Sequence, residues 1–265
     1  MAGKGSLVVV GTGIRIVGHM TLEAISWIRS SDRVLYVVGD PVAEAAIREL
    51  NPSGAESLTG LYAVGKPRLQ TYREMIDRVL ACVRQGLSTC LACYGHPGVF
   101  VYPSHESIRQ ARAEGFAARM LPGVSAEDCL FADLGIDPGM SGCQSYEATD
   151  FLTNARMVDP TSSVVLWQIG VVGDPTYKVN GYDTSAMPLL VERLLQTYPP
   201  THVAYLYEAA VFIGCEPQIV PVSISQLAHV PLSAGYTLYI PPAFPPRPDA
   251  ATLYRMSLIG APATQ

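Results

Sequence analysis

The first half of the chain alternates short apolar runs with longer segments of helical periodicity. Residues 6–10 (SLVVV) form the first apolar run, and the glycine turn Gly11-Thr12-Gly13 follows it directly. A buried strand that ends in such a turn is typical of the opening of an α/β fold. The longest helical segment spans residues 67–85. Its apolar positions recur every three or four residues, at Met75, Ile76, Val79, Leu80 and Val83.

The same patterns predict an α/β protein in two parts. The first part has strands at 6–10, 33–38, 88–93 and 116–121, and helices at 22–28, 41–50, 67–85 and 104–114. This alternation predicts a mostly parallel sheet with helices on both faces. The second part has a helix that Ser125 caps, running through Ala132, and a main helix at 186–196. Its predicted strands lie at 164–169, 203–207, 219–222 and 237–240.

We therefore divide the chain into an N-terminal α/β domain at 1–121, a C-terminal α/β domain at 122–245 and a tail at 246–265. The boundary follows the last predicted strand of the first part and precedes the helix that Ser125 caps. The proline-rich stretch at 241–248 indicates where the chain leaves the second domain.

Composition narrows the class of protein. The chain has 265 residues, of which 49% are apolar and 15% charged, so it has enough apolar material for a core. A net charge of −5 argues against a nucleic-acid partner. No clean apolar helix of about 20 residues is present, which predicts no membrane partner. With no visible signal peptide, we expect a cytoplasmic protein with reduced cysteines. Cys90 and Cys93 fit a buried strand better than a metal or redox site.

Three glycine-containing loops follow predicted strands, at 11–13, 94–98 and 122–125. Loops at the carboxyl ends of strands form the ligand crevice of a doubly wound sheet, so a shared crevice is expected. Amide groups at the helix start after Ser125 are further candidates for ligand contacts. A nicotinamide-dependent oxidoreductase is a weak alternative, because position 16 is isoleucine and the third glycine of that fingerprint is missing.

Tyr62, Arg68 and Tyr72 are the candidate catalytic residues. Arg68 and Tyr72 lie one helical turn apart near the start of the predicted helix, and Tyr62 precedes it. A fixed positive charge lowers the pKa of a phenol from about 10, which favours a phenolate that acts as a general base. The alternative is a solvated arginine beside two half-buried tyrosines.

Several motifs resemble a known superfamily. The loops GTGI at 11–14, YGHPGVF at 94–100 and LPGVSAEDCLFADLGIDPG at 121–139 are similar to those of tetrapyrrole-methylase-like (class III) S-adenosylmethionine methyltransferases. Within it, YGHPGVF, PSH at 103–105, RMLPGVSAEDCLFADL at 119–134 and the Tyr-x5-Arg-x3-Tyr spacing resemble the borosin-type peptide backbone α-N-methyltransferases. The similarity runs from about residue 6 to residue 242. It implies two α/β domains with the cofactor in the cleft between them.

The resemblance also implies roles for individual residues. Tyr62, Arg68 and Tyr72 match the catalytic set, whereas Thr59 stands where some relatives have a further tyrosine. The implied residues for binding S-adenosylmethionine are Gly11, Gly13, Tyr94, His96, Val99, Phe100, Ser125, Ala126, Gln168, Ala209, Tyr236 and Thr237. No metal is implied.

The activity implied by the resemblance is methylation of backbone amides in a ribosomally made precursor peptide, with S-adenosylhomocysteine as the product. We expect a precursor supplied as a separate chain, because residues 253–265 are too short for a docking domain plus a substrate segment. We also expect a homodimer, or a heterotetramer with two precursor chains. The base is assigned to Tyr72, with Tyr62 as the alternative. A small-molecule methyltransferase acting on a tetrapyrrole and an inactive peptide-capturing protein stay open as alternatives.

Overall fold

The computed structural model describes residues 5–15, 18–179 and 181–259, and its strands form two five-stranded sheets. The first sheet is wholly parallel, with the strand order β3-β2-β4-β1-β5. Its strands are β1 (Ser6–Gly11), β2 (Arg33–Val37), β3 (Ala55–Ser57), β4 (Ser88–Cys93) and β5 (Ala117–Met120). Its helices are α1 (Leu22–Ser30), α2 (Pro41–Leu50), α3 (Arg68–Arg84) and α4 (Tyr102–Ala113).

Side-chain alternation along the strands covers both faces of this sheet. Val8 and Val10 pack with the buried positions of α1 and α2, whereas Leu7 and Val9 pack with those of α3 and α4. The predicted parallel sheet with helices on both faces is therefore confirmed.

Cys90 and Cys93 lie on opposite faces of β4, because they are three positions apart on a strand. Both thiols are buried and form no disulfide, and burial raises their pKa values, that of Cys93 to about 11. This arrangement confirms the interpretation of the C-x-x-C pair as part of a buried strand.

The second sheet is mixed, with the order β6-β7-β10-β8-β9; β6 and β7 are parallel and the other pairs antiparallel. Its strands are β6 (Cys143–Glu147), β7 (Ser163–Trp167), β8 (Val203–Glu208), β9 (Gln218–Ser223) and β10 (Thr237–Ile240). The remaining helices are α5 (Ala126–Leu134), α6 (Pro138–Ser141), α7 (Ala148–Thr153), α8 (Met187–Leu195) and α9 (Ala250–Ile259). α7 and α8 cover one face, and Cys129 and Leu130 of α5 pack against the other. This packing supports, as a proposal, a division of the chain after residue 121.

Most predicted elements are confirmed within two residues, and the bounds of α2, β4 and β10 match those predicted. β3, β6, α6, α7 and α9 were not predicted. The predicted strand at 164–169 ends instead at Trp167, because Gln168 has a left-handed backbone (φ 59°) and a 3-10 turn, Ile169–Val171, follows. α9 places a helix inside the predicted tail. Over the described residues, the longest apolar helix is too short to cross a membrane.

Candidate functional site

A cavity of about 380 Å³ lies between the two sheets. From the first half of the chain it is lined by the loop after β4, by the start of α5 and by two tyrosines. From the second half it is lined by the ends of β7 and β8 and by the start of β10. Predicted site residues in its lining are Tyr62, Tyr72, Tyr94, His96, Val99, Phe100, Ser125, Ala126, Gln168, Ala209 and Thr237.

The two glycine turns of the first sheet contact each other directly through their backbones beside this site. Gly13 donates to the Gly95 carbonyl at 3.2 Å, and the Gly95 amide donates to the Gly13 carbonyl at 3.0 Å. A Cβ at Gly11 would stand 2.8 Å from Cδ of Pro97, so a side chain there would push the loops apart. Gly11 and Gly13 do not line the 380 Å³ cavity. Gly13 borders a separate, minor pocket beside it.

Hydrogen bonds within the loop at 94–100 hold its shape. His96 Nδ1 accepts from the Gly98 amide at 2.9 Å, and the Val99 amide donates to the His96 carbonyl at 3.2 Å. A Cβ at Gly98 would stand 2.8 Å from Sδ of Met120. His96 therefore shapes the loop through one ring nitrogen, in addition to lining the cavity.

Ser125 caps α5, as predicted. Its Oγ accepts from the Asp128 amide at 3.1 Å, and the Asp128 carboxylate accepts from the Ser125 amide at 2.6 Å. This reciprocal capping box fixes the first turn of α5 at the cavity wall.

Tyr236 is the predicted second-half residue that does not line the cavity, since its hydroxyl donates to Oε1 of Gln218 at 2.8 Å on the sheet surface. Sequence reasoning missed Trp167, Glu208 and Gly235, which do line it. Trp167 and Glu208 are the last residues of β7 and β8. The strand-end rule that identified the first three loops points to them as well.

A second cavity, of about 710 Å³, adjoins the first. The two share Tyr72, Phe100, Val101 and Gln168. Phe100 and Gln168 both have left-handed backbones, with φ of 55° and 59°, although neither is glycine. Such conformations cost about 1–3 kcal/mol each and concentrate at functional sites.

The Tyr62, Arg68 and Tyr72 set stands where the two cavities meet. Tyr62 and Tyr72 line the smaller cavity, while Arg68 and Tyr72 line the larger. Arg68 begins α3 and Tyr72 follows one turn later, as the spacing predicted.

A segment from the second half of the chain packs on this set. The Tyr177 ring lies 4.8 Å from that of Tyr62, and the Tyr182 ring lies 5.1 Å from the Arg68 guanidinium carbon. The backbone supports the same contact: the Arg68 amide donates to the Pro175 carbonyl at 3.0 Å, and the Gly65 amide donates to the Tyr177 carbonyl at 2.9 Å. Stacking and cation–π contacts of this kind fix the direction of both side chains.

Burial sets the acidity of the two phenols. It raises the pKa of Tyr62 and that of Tyr72, and the opposing effect of Arg68 is smaller in both. Arg68 does lower both pKa values, as expected, but burial outweighs its effect. The contact between the phenols raises the pKa of Tyr62 and lowers that of Tyr72. Tyr72 is thus the better candidate for deprotonation.

Comparison with known proteins identifies the family. The profile of the tetrapyrrole (corrin/porphyrin) methylases matches residues 6–227. The chain belongs to the tetrapyrrole methylase family. Among curated relatives of this chain, the methyltransferase/dendrothelin A precursor of Dendrothele bispora is 46% identical over 242 residues, which are 90% of this chain and 58% of that protein. The methyltransferase/omphalotin A precursor of Omphalotus olearius is 42% identical over 261 residues, 97% of this chain and 62% of that protein.

The chain thus spans about three-fifths of the length of these relatives. A further relative, 44% identical over 242 residues, is a type III borosin precursor/methyltransferase of Anomoporia bombycina. The resemblance to borosin methyltransferases is therefore confirmed.

Solved structures confirm the tetrapyrrole methylase fold. Uroporphyrin-III C-methyltransferase of Thermus thermophilus superposes with a TM-score of 0.64 at 19% identity, covering 91% of this chain and 93% of that one. A diphthine synthase superposes with a TM-score of 0.59 at 14% identity, covering 89% of each chain.

A partly buried hydrogen bond at the cavity wall gives a stability prediction. Tyr207 lines the cavity and donates to the Asp133 carboxylate at 2.7 Å, whereas Tyr239, in the same core cluster, shares a 3.1 Å hydrogen bond with the Ser163 hydroxyl. Tyr207→Phe should lower the free energy of unfolding by about 1.5–3 kcal/mol, because it removes a bond to a charged acceptor. The matched Tyr239→Phe should cost about 0.5–1.5 kcal/mol. Equal losses of unfolding free energy for the two variants, measured by urea unfolding, would contradict a stronger hydrogen bond at Tyr207.

Proposed function

We propose that this protein is an S-adenosylmethionine-dependent methyltransferase that α-N-methylates backbone amides of a ribosomally made precursor peptide. The observation that carries the proposal is the position of Tyr72, which lines both cavities. A cofactor in the smaller cavity and a peptide in the larger one would meet at this side chain. The names of the relatives, methyltransferases joined to ribosomally synthesised peptide precursors, support methyl transfer to a peptide.

The smaller cavity suits an adenosyl cofactor. Its volume of about 380 Å³ lies within the range of small-molecule sites, and its lining combines aromatic side chains with a few polar groups. At the start of α5 the Ser125 amide is bonded to Asp128, so the Ala126 amide is the candidate donor to a ligand carboxylate. When bound, S-adenosylmethionine supplies an electrophilic methyl group on a sulfonium cation.

The chain's own residues must make an amide nitrogen nucleophilic. Resonance delocalises the nitrogen lone pair into the carbonyl, so the N–H proton has to be removed as the methyl group is transferred. Tyr72 accepts that proton as a phenolate, which Arg68 stabilises beforehand, and becomes a neutral phenol in the step. Tyr62 donates to the amide oxygen and stabilises the charge that develops there.

Burial raises the pKa of Tyr72 and the Arg68 charge lowers it, so a further charge from a bound ligand would change this balance. A cation placed between Tyr62 and Tyr72 would lower both pKa values, and exclusion of water would strengthen its effect. Burial raises the pKa of Tyr72, so the phenolate is the minor form near neutral pH, and a bound cation would increase its share.

The route by which the peptide arrives is a separate part of the proposal. The named relatives carry the precursor within the same polypeptide, and the chain spans part of their length. Supply of the precursor as a separate chain stays a prediction, as does the homodimer. The functional test therefore presents the peptide in both arrangements.

Intact-mass spectrometry tests the activity. We expect the candidate precursor, from the open reading frame adjacent to this one, to gain mass in steps of one methylene when co-produced with this chain, either separately or fused to its C-terminus. Fragmentation should place each methyl group on a backbone nitrogen. An unchanged peptide beside absorbance changes with a porphyrinoid would instead favour the tetrapyrrole alternative.

Substitution and pH together test the base. Tyr72→Phe should retain S-adenosylhomocysteine binding and lose methyl transfer, whereas Tyr205→Phe, a partly buried tyrosine outside both cavities, should be unaffected. A pKa raised above about 10 leaves little phenolate at neutral pH, so the logarithm of the single-turnover rate should rise by about one per pH unit between about pH 7 and 9. A rate that does not change with pH would show that Tyr72 is not the general base.

Fluorescence offers a direct test of where the cofactor binds, because the chain has 2 tryptophans. Trp167 lines the smaller cavity, and Trp27 packs against Arg119 on the far face of the first sheet. Titration with S-adenosylhomocysteine should give a saturable emission change in Trp27→Phe and none in Trp167→Phe. The reverse pattern would place the cofactor elsewhere.

A further inference from the structure

Glu208 brings a carboxylate to the wall of the smaller cavity. It is the last residue of β8, directly before Ala209, and its side chain is partly buried. Within the described ranges 5–15, 18–179 and 181–259, no residue forms a hydrogen bond or ion pair with this carboxylate. Sequence reasoning did not single it out.

Gly235 makes room for this side chain. A Cβ at position 235 would stand 2.8 Å from Cδ of Glu208 and 3.4 Å from its Cγ. Gly235 does not have a positive φ, so its backbone accepts alanine without strain. The carboxylate can therefore be displaced by a methyl group on a different residue, with its charge unchanged.

Among the described residues, the cavity lining brings no lysine or arginine to the Glu208 carboxylate. Tyr94 lies across the cavity, and its pKa is raised to about 12 by burial first and then by the charges of Cys129, Glu208 and Asp40. In the described part of the chain, the cavity lining contains no lysine or arginine, and Arg68 borders only the neighbouring cavity. A ligand that fills the cavity would displace the water that solvates the carboxylate.

Displacing that water without replacing its hydrogen bonds would be costly. A buried carboxylate is tolerated only when it is paired with a cation or accepts hydrogen bonds. A ligand that fits this cavity must therefore present polar hydrogens to Glu208. An apolar or anionic group at this position would weaken binding.

We propose that Glu208 is a cofactor-binding residue, which accepts hydrogen bonds from polar hydrogens of an adenosyl–amino acid cofactor. The inference rests on the proposed function. Two groups of such a cofactor have the required chemistry, the α-ammonium group of the amino acid part and the hydroxyl groups of the ribose.

Calorimetry with S-adenosylhomocysteine tests the proposal on the full chain. Glu208→Gln and Gly235→Ala should each weaken binding by about tenfold or more, because a charge-assisted hydrogen bond is lost or displaced. Glu192→Gln, which removes the same charge from an exposed position of α8, should bind as the unmodified chain does. Thermal unfolding of each variant checks that it is folded. If Glu208→Gln does not fold, Gly235→Ala carries the test.

A second ligand, 5′-methylthioadenosine, separates the two sources because it keeps the ribose and lacks the amino acid part. An equal loss for both ligands assigns Glu208 to the ribose hydroxyls, and a loss confined to S-adenosylhomocysteine assigns it to the ammonium group. Unchanged affinity for S-adenosylhomocysteine in both variants would overturn the inference. Failure of the unmodified chain to bind S-adenosylhomocysteine would instead overturn the proposed function, and the inference with it.

Discussion

Backbone pairing between residues 65–68 and 175–177 joins the two halves of the chain beside the proposed reaction centre. The Arg68 amide, at the start of α3, bonds to a carbonyl from the second half. The same segment brings Tyr177 against Tyr62 and Tyr182 against Arg68. The proposed reaction centre therefore depends on both halves of the chain, although all three of its side chains come from the first.

The same packing explains the raised pKa values of the two phenols. Packing from both halves removes water from Tyr62 and Tyr72, and the loss of solvation outweighs the nearby guanidinium. Burial therefore favours the neutral form of both phenols near neutral pH, so proton removal under the proposed function needs a further positive charge, such as a bound sulfonium cation.

Local rules predicted the first sheet well. β4 and α2 have unambiguous signals, an apolar run in one case and a proline at the first turn in the other, so their bounds matched. β6 has the sequence CQSYE and no fully buried side chain, so it lacks the apolar signal of a core strand. Its pairing with β7 is a tertiary effect that no local window contains.

The candidate site was likewise predicted where local signals exist and missed where tertiary contacts decide. Tyr62, Arg68 and Tyr72 were found from spacing and resemblance, and Ser125 from the chemistry of helix starts. Glu208 and Trp167 were not found, because the role of a strand-terminal side chain depends on which sheet edge faces the cavity. The balance between burial and charge at Tyr72 is likewise visible only once neighbouring segments are in place.

The wall of Tyr72, Phe100, Val101 and Gln168 lies between two adjoining volumes. Two ligands can therefore be held side by side, each against its own lining, with contact only where the wall is shared. Replacement of the smaller ligand then does not require departure of the larger one. Under the proposed function, such an arrangement would let the small ligand be exchanged while the large substrate stays bound.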